Sequence, residues 1–394
     1  MNDTPDYAEL LAHYQRGALD ATERGCAALL AQTPDHAGAL QLQGLLHARR
    51  GAFDAALTSF DRALAADPAL ASAYNHRGHV LLALDQPARA VASYDQALAR
   101  RLEDAHALNN RGIALQALTR WPEALASYER AAALAPGLAE AHLNRGELLI
   151  ELGEREAAIA ALRRAEEVGA DAAKVRFALA SLGADAPATA APPEFVRELF
   201  DEYASHFDSH LGERLRYRVP QLIADAVAAL ALPAPAELID LGCGTGLCGP
   251  LLRPHARRLE GVDLSPAMLE QARRLALYDE LVCAELVEHL GKRTGAFDLA
   301  VAADVLIYFG DLAPVLAAVH RALRPRGSFV FTLEATETMP YLLRPSRRFA
   351  HARAYVEDAA RAQGFALRGL DAVVLRTEGG ADVAGHRVVL QRGP

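Results

Sequence analysis

The reading of the chain turns on Glu237-Leu238-Ile239-Asp240-Leu241-Gly242-Cys243-Gly244-Thr245-Gly246. A short apolar run that ends in glycines predicts a buried strand followed by a tight turn. Glycines at 242, 244 and 246 let the backbone turn sharply and pass close to a ligand. A helix is expected to begin near Leu247, so its N-terminus faces the same turn. In an open α/β sheet, the crevice beyond the strand ends is the expected ligand site. The dinucleotide fingerprint G-x-G-x-x-G needs glycine or alanine at 247, where this chain has Leu247. The pattern is instead G-x-G-x-G, preceded by Asp240.

Outward from this loop, short apolar strands alternate with amphipathic helices. Strands are expected near 237–241, 258–262, 281–284, 298–302, 328–333, 371–376 and 386–391. That alternation predicts an α/β domain with a largely parallel sheet. The second strand ends at Gly261-Val262-Asp263, with Asp263 seventeen residues past Gly246. A carboxylate there offers two acceptor oxygens to the hydroxyls of a ribose. Ser265 and Pro266 read as N-cap and first turn of the next helix, and Met268 sits where it can lie against a base.

Together these strings resemble the class I S-adenosylmethionine-dependent methyltransferases. The loop matches their motif I, and Phe297–Ala302 running into Ala303-Asp304-Val305-Leu306-Ile307-Tyr308 resembles motif IV. The resemblance covers roughly residues 195–392. It implies a Rossmann-like fold with a seven-stranded, mostly parallel sheet. It also implies S-adenosyl-L-methionine as cofactor, held by Asp240, Gly242, Cys243, Gly244, Gly246, Asp263, Leu264, Met268, Glu285 and Ala303. Glu285 is the position that bonds the adenine amino group in the family. Phe200-Asp201-Glu202-Tyr203-Ala204-Ser205-His206-Phe207-Asp208, and Arg348-Phe349-Ala350-His351 followed by Tyr355, resemble a bacterial group that also carries tetratricopeptide repeats.

A sulfonium methyl group is already activated, so aligning an acceptor and excluding water supply much of the rate. Candidate acceptor-side groups are Tyr203, Asp304, Tyr308 and His351. Tyr308 and His351 are the candidate catalytic pair, because a histidine pKa suits base chemistry. Asp304 also reads as a cap for the helix after it. Tyr203 and Phe207 are expected to form a helical lid. The motif IV strand lacks the Asn-Pro-Pro-Tyr or Asp-Pro-Pro-Tyr string of many enzymes acting on exocyclic or amide nitrogens. From Arg344 to Arg368, Arg347, Arg348, Arg353 and Arg361 outnumber Glu357 and Asp358. This reads as a solvated face or as a seat for an anionic substrate group.

The first half repeats with a period of 34 residues. Gly44, Gly78, Gly112 and Gly146 fall at that interval, as do Ala56, Ala90, Ala124 and Ala158. Phe60, Tyr94, Tyr128 and Leu162 form another column. This resembles the tetratricopeptide repeat, in which small and aromatic residues recur in a helix–turn–helix unit. Glycine and alanine allow close helix approach, and the aromatic fills the gap. The expected organisation is an all-α array over 1–182, with a degenerate repeat at 3–36, repeats at 37–70, 71–104, 105–138 and 139–172, and a closing helix at 173–182. A linker at 183–193 leads into the methyltransferase domain at 194–394. In the repeat family the concave face binds a peptide, a partner protein or another copy. Asn75, Asn109, Asn110 and Asn144 are expected there, either as a ladder for a bound backbone or as bonds between neighbouring helices.

The formal charge of −9 argues against a general nucleic-acid binder. The start Met1-Asn2-Asp3-Thr4-Pro5-Asp6 has no basic stretch leading into an apolar core, which argues against a secretory signal. Cys26, Cys243, Cys248 and Cys283 form no CxxC pair, so no metal site and reduced thiols are expected. A cytoplasmic enzyme with no membrane segment follows. The repeats then recruit a protein or peptide substrate or partner. Two alternatives are a small-molecule methyltransferase that uses the repeats for assembly, and a non-catalytic scaffold that senses S-adenosylmethionine.

Overall fold

A computed structural model describes residues 6–101, 103–204, 216–230, 232–233, 235–378 and 380–394. Phe207 and the rest of 205–215 lie outside the described residues. The chain divides into two compact units, Met1–Val175 and Arg176–Pro394.

The first unit is a run of antiparallel helix pairs, Tyr7–Gln15 with Leu19–Gln32, Ala37–Arg49 with Phe53–Ala66, and onward to Ala139–Glu151 with Arg155–Glu167. The repeated columns have a direct steric cause. A Cβ on Gly44 would sit 2.6 Å from the Phe60 ring, on Gly78 2.7 Å from Tyr94, and on Gly112 2.4 Å from Tyr128. On Gly146 it would sit 2.8 Å from Leu162. Each glycine is the slot into which the aromatic or leucine of the paired helix fits. Pro87 opens Pro87–Arg100, and Pro122 lies in the first turn of Trp121–Leu134. There the missing N–H costs no helical hydrogen bond.

Polar clamps recur at the same period. Arg77 donates to Asp61 at 2.7 Å and to Ser93 at 2.8 Å. Arg111 repeats this with Asp95 at 2.6 Å and Ser127 at 2.8 Å. The asparagines bond across adjacent repeats, Asn110 to Asn75 at 3.4 Å and Asn144 to Asn109 at 3.0 Å. No described helix is long and apolar enough to cross a membrane.

The second unit is built on β1 (Ala236–Leu241), β2 (Ala256–Asp263), β3 (Glu280–Cys283), β4 (Phe297–Ala302), β5 (Leu323–Ala335), β6 (Tyr341–Leu343), β7 (Phe349–His351), β8 (Phe365–Glu378) and β9 (Ala381–Arg392). The order β3-β2-β1-β4-β5 is parallel throughout; β9 then runs antiparallel on β5, and β8 on β9. These seven are the expected strands, and the sheet reverses direction of winding between β1 and β4, where the crevice forms.

The short strands β6 and β7 were not anticipated. β4 covers one edge of β5 as far as Phe331, and β9 covers the other through Glu334. β7 pairs with Glu334 and Ala335, so it takes the edge that β4 vacates past Ala302. The β6–β7 hairpin therefore lies alongside the end of β5, beyond the end of β4. The predicted helical stretch at 194–232 contains two described helices, Pro193–Tyr203 and Val219–Ala228. Residues 189–191 are fastened to the turn after β4: Ala191 N–H donates to Tyr308 O at 2.8 Å, and Gly310 and Asp311 N–H donate to Thr189 O at 2.8 and 2.9 Å.

Gly112→Ala is expected to lower stability by about 1–3 kcal/mol through overpacking against Tyr128, although alanine is the better helix former. Gly137, with nothing within 4 Å of an added Cβ, is the control. Urea midpoints of the two alanine variants check this, and Gly137→Ala should stay near the parent.

Candidate active site

The loop after β1 holds Gly242, Gly244 and Gly246 at φ of +64°, +54° and +91°. These are left-handed conformations that a Cβ penalises. At Gly242 an added Cβ would also lie 2.4 Å from Val305, in the turn after β4. The ends of β1 and β4 therefore meet at a backbone without side chain. Gly242 and Cys243 N–H both donate to Val262 O, at 2.8 and 3.1 Å, which ties the loop to the end of β2.

Asp263 is the centre of this arrangement. Its Oδ2 accepts from Gly244 N–H at 2.9 Å, and its Oδ1 from Ser265 N–H at 2.9 Å. Burial raises its pKa, against the pull of those N–H groups. Each carboxylate oxygen keeps a second lone pair for a ligand hydroxyl. Ser265 caps Pro266–Arg274 by accepting from Met268 N–H at 3.0 Å, as the sequence predicts. Its own hydroxyl donates to Asp201 at 2.6 Å. Asp201, on Pro193–Tyr203, thus anchors that helix beside the loop. No local pattern marks this role of Asp201, because its partner Ser265 lies 64 residues further along the chain.

A cavity of about 680 Å³ opens here. Of the expected cofactor positions, Gly242, Gly244, Asp263, Leu264, Met268, Glu285 and Ala303 line it. Asp240, on β1, and Cys243 and Gly246, within the loop, do not. Glu285 also caps Leu286–Gly291, accepting from Glu288 N–H at 2.7 Å. Of the acceptor-side candidates, Tyr203, Asp304 and Tyr308 line the cavity, together with Phe200, Tyr217, Arg348, Arg376 and Glu378.

His351 is not at the cavity. It is fully buried, and its Nε2–H donates to Phe309 O at 2.8 Å and Gly310 O at 3.2 Å. Burial lowers its pKa to about 4. Its ring is a neutral brace for the 308–310 turn rather than a base facing a substrate. Tyr308 meets Phe200 edge-on at 5.7 Å and accepts a hydrogen bond from Arg348; burial pushes its hydroxyl pKa up.

Arg344 and Arg348 of the basic segment, together with Arg376 on β8, meet acids in the fold. Arg376, only 2% exposed, donates to Asp304 at 3.1 Å, to Glu378 at 3.2 Å and to Glu334. Arg348 donates to Glu378 at 3.0 Å, and Arg344 to Glu334 at 3.0 Å. Asp304 caps no helix: the following 3₁₀ turn, Leu306–Tyr308, has Val305 at its N-cap and no side-chain cap.

Beneath the loop, Tyr278 donates to Asp240 at 2.7 Å, and Asp240 is 1% exposed. Burial raises the Asp240 pKa from 3.8 to about 7; the Tyr278 bond opposes this and Asp263 adds to it. The folded protein therefore holds a proton that the unfolded chain releases. From this group, stability is greatest below the unfolded pKa and falls as pH rises toward 7, by up to about 4 kcal/mol. Asp240→Asn should flatten that decline, which urea unfolding of parent and variant at pH 5 and pH 8 would measure.

Residues 239–331 match the family described as a methyltransferase domain. Residues 7–71, 76–139 and 139–168 match tetratricopeptide repeat families. The chain is 33% identical over 152 residues to the biotin biosynthesis bifunctional protein BioCD of Bordetella avium (strain 197N), covering 37% of this chain and 32% of that protein. It is 31% identical over 147 residues to the malonyl-[acyl-carrier protein] O-methyltransferase of Pseudescherichia vulneris, covering 37% and 56%. With the human methyltransferase-like protein 27 it shares 40% over 113 residues, covering 27% and 45%. The chain spans between about a third and just over half of the length of these relatives. Loop, sheet order and matched families agree: this chain joins tetratricopeptide repeats to a methyltransferase domain.

Proposed function

We propose that the second unit transfers a methyl group from S-adenosyl-L-methionine to an acceptor held in the same cavity. The observation that carries this reading is the pairing of a loop without side chains at Gly242 and Gly244 with the Asp263 carboxylate, both lining one cavity. The residues present fit the cofactor. Gly242 and Gly244 leave room for a nucleoside, Asp263 offers acceptor lone pairs to ribose hydroxyls, and Met268 and Leu264 give an apolar bed for the base.

When bound, the cofactor supplies an activated methyl group on a sulfonium. The chain supplies the rest. Gly244 N–H and Ser265 N–H hold the Asp263 carboxylate in one orientation, and Asp201 holds Pro193–Tyr203 beside it. Phe200, Tyr203 and Tyr217 give the cavity an aromatic wall that excludes water. Tyr308 and Arg348 close the acceptor end.

Calorimetry with S-adenosylmethionine and S-adenosylhomocysteine tests the reading. The full chain should bind both. Asp263→Ala should weaken binding by about 100-fold, the loss expected for charge-assisted hydrogen bonds to two hydroxyls. No heat from either ligand with the folded parent chain would overturn it.

The repeats are proposed to recruit a protein or peptide partner. Their polar inner columns keep unused amide capacity beyond the bonds between repeats, since each asparagine has two donors and an acceptor. With a labelled methyl donor and cell extract, this predicts label in the macromolecular fraction. Label confined to small molecules would instead favour a small-metabolite acceptor, with the repeats serving assembly.

A further inference from the structure

We infer that His289 and Glu260, neither of which lines the cavity, are positioning residues for base recognition: their bond holds Glu285 where it meets the exocyclic amino group of an adenine, and so sets a preference for a 6-amino over a 6-oxo purine. The inference rests on the reading of the second unit as a methyltransferase.

Glu260 lies on β2 with β1 paired on one side and β3 on the other, opposite Ile239 and Glu280. It is fully buried. Strand alternation puts it on the same face as Val262, which packs in one apolar core with Leu286 and Leu290 of the helix Leu286–Gly291. An apolar side chain at 260 would continue that face without electrostatic cost, whereas a buried carboxylate is offset only by well-made bonds. Its Oε1 accepts two, from His289 Nε2–H at 2.6 Å and from Arg293 at 3.0 Å, and His289 is itself buried. Arg258, which also bonds Glu280, lies 3.6 Å from Oε2.

What these bonds hold is short. The helix has six residues, and Leu286 and Leu290 are its apolar anchors. Apolar contacts keep it on the sheet but are non-directional, so they fix its rotation and sliding weakly. The His289 ring supplies the direction. From there the constraint reaches the cavity through two further bonds. His289 N–H donates to Glu285 O at 2.9 Å, and Glu285 Oε2 accepts from Glu288 N–H at 2.7 Å. Glu285 lines the cavity beside Ala284 and Leu286, and Ala284 N–H is tied to Asp263 O at 3.0 Å.

The chemistry of the base makes this placement matter. An ionised carboxylate only accepts. The 6-amino group of adenine donates to it, while the 6-oxo group of hypoxanthine brings a second acceptor. A hydrogen bond weakens steeply when its geometry is lost, whereas packing of the purine face on Leu264 and Met268 is indifferent to the 6-substituent. A small rotation of the helix therefore removes the preference before it removes affinity for a purine.

Calorimetry on the full chain with S-adenosylhomocysteine and its 6-oxo analogue, S-inosylhomocysteine, tests this. The parent should prefer the adenine compound by at least about 10-fold, the scale of one charge-assisted hydrogen bond. His289→Leu removes the bond to Glu260 and keeps an apolar contact. Its preference should fall to about threefold or less, with S-inosylhomocysteine affinity within about threefold of the parent. His289→Gln, which returns an N–H donor to Glu260, should recover most of the preference. In a Glu285→Ala background, adding His289→Leu should leave the preference where Glu285→Ala puts it. An unchanged preference in folded His289→Leu, or a fall of both affinities by the same factor, would overturn the inference. If His289→Leu does not fold, Arg293→Met decides, because it removes the partly exposed donor to the same oxygen. Its preference should fall at least about twofold, and an unchanged preference there overturns the inference. A parent that binds both compounds equally overturns this inference alone, and a parent that binds neither overturns the methyltransferase reading with it.

Discussion

The second unit depends on one carboxylate shared by two backbone N–H groups. Asp263 joins Gly244, after β1, to Ser265, after β2. The ladder between these parallel strands ends at Leu241 and Val262, and past it the first loop is tied to β2 by Gly242 and Cys243 N–H on Val262 O and by this carboxylate. A buried acid with two fixed donors does that work at about the strength of charge-assisted bonds. The left-handed glycines relieve the loop of strain, and Ser265 passes the constraint on to Met268 and Asp201. The cavity wall is thus set by a chain of short polar contacts as much as by the apolar core under the sheet.

Much of this was legible in the sequence because its signals are local or periodic. A period of 34 residues reported the Gly–aromatic slots, since each pair lies sixteen residues apart within one repeat. The glycine loop, Asp263 and the Ser265 cap are read within a few residues of one another. The hidden parts depend on partners far apart in the chain. Arg376 lies 72 residues from Asp304 and 42 from Glu334, and neither distance has a motif. The basic run near Arg348 read as a solvated or anion-binding face because its acids come from β5 and β8. His351 drew a base role from its residue type alone, whereas its burial is set by β7 lying against the 308–310 turn. The strands β6 and β7 are three residues each, too short for a period-two signal.

The buried ion cluster deserves weighing by its alternatives. Removing charges from water is costly, and a cluster of equal and opposite charges recovers that cost only when its bonds are well made. Arg376 makes three, so its role is to fix orientation rather than to add net stability. What it fixes are the end of β8, the end of β5 and the turn after β4, the elements that meet above the crevice. Disorder in any of these would be felt at Asp304 first.

The β6–β7 hairpin occupies an edge that the shared sheet leaves bare. Because it pairs only with the last residues of β5, its length and side chains can change without touching the glycine loop or Asp263. Of the excursion between β5 and the following helix, Arg353–Ala362, Arg348 is the residue that lines the cavity, so a change of length there reaches the pocket through one guanidinium and the Tyr308 hydroxyl it bonds.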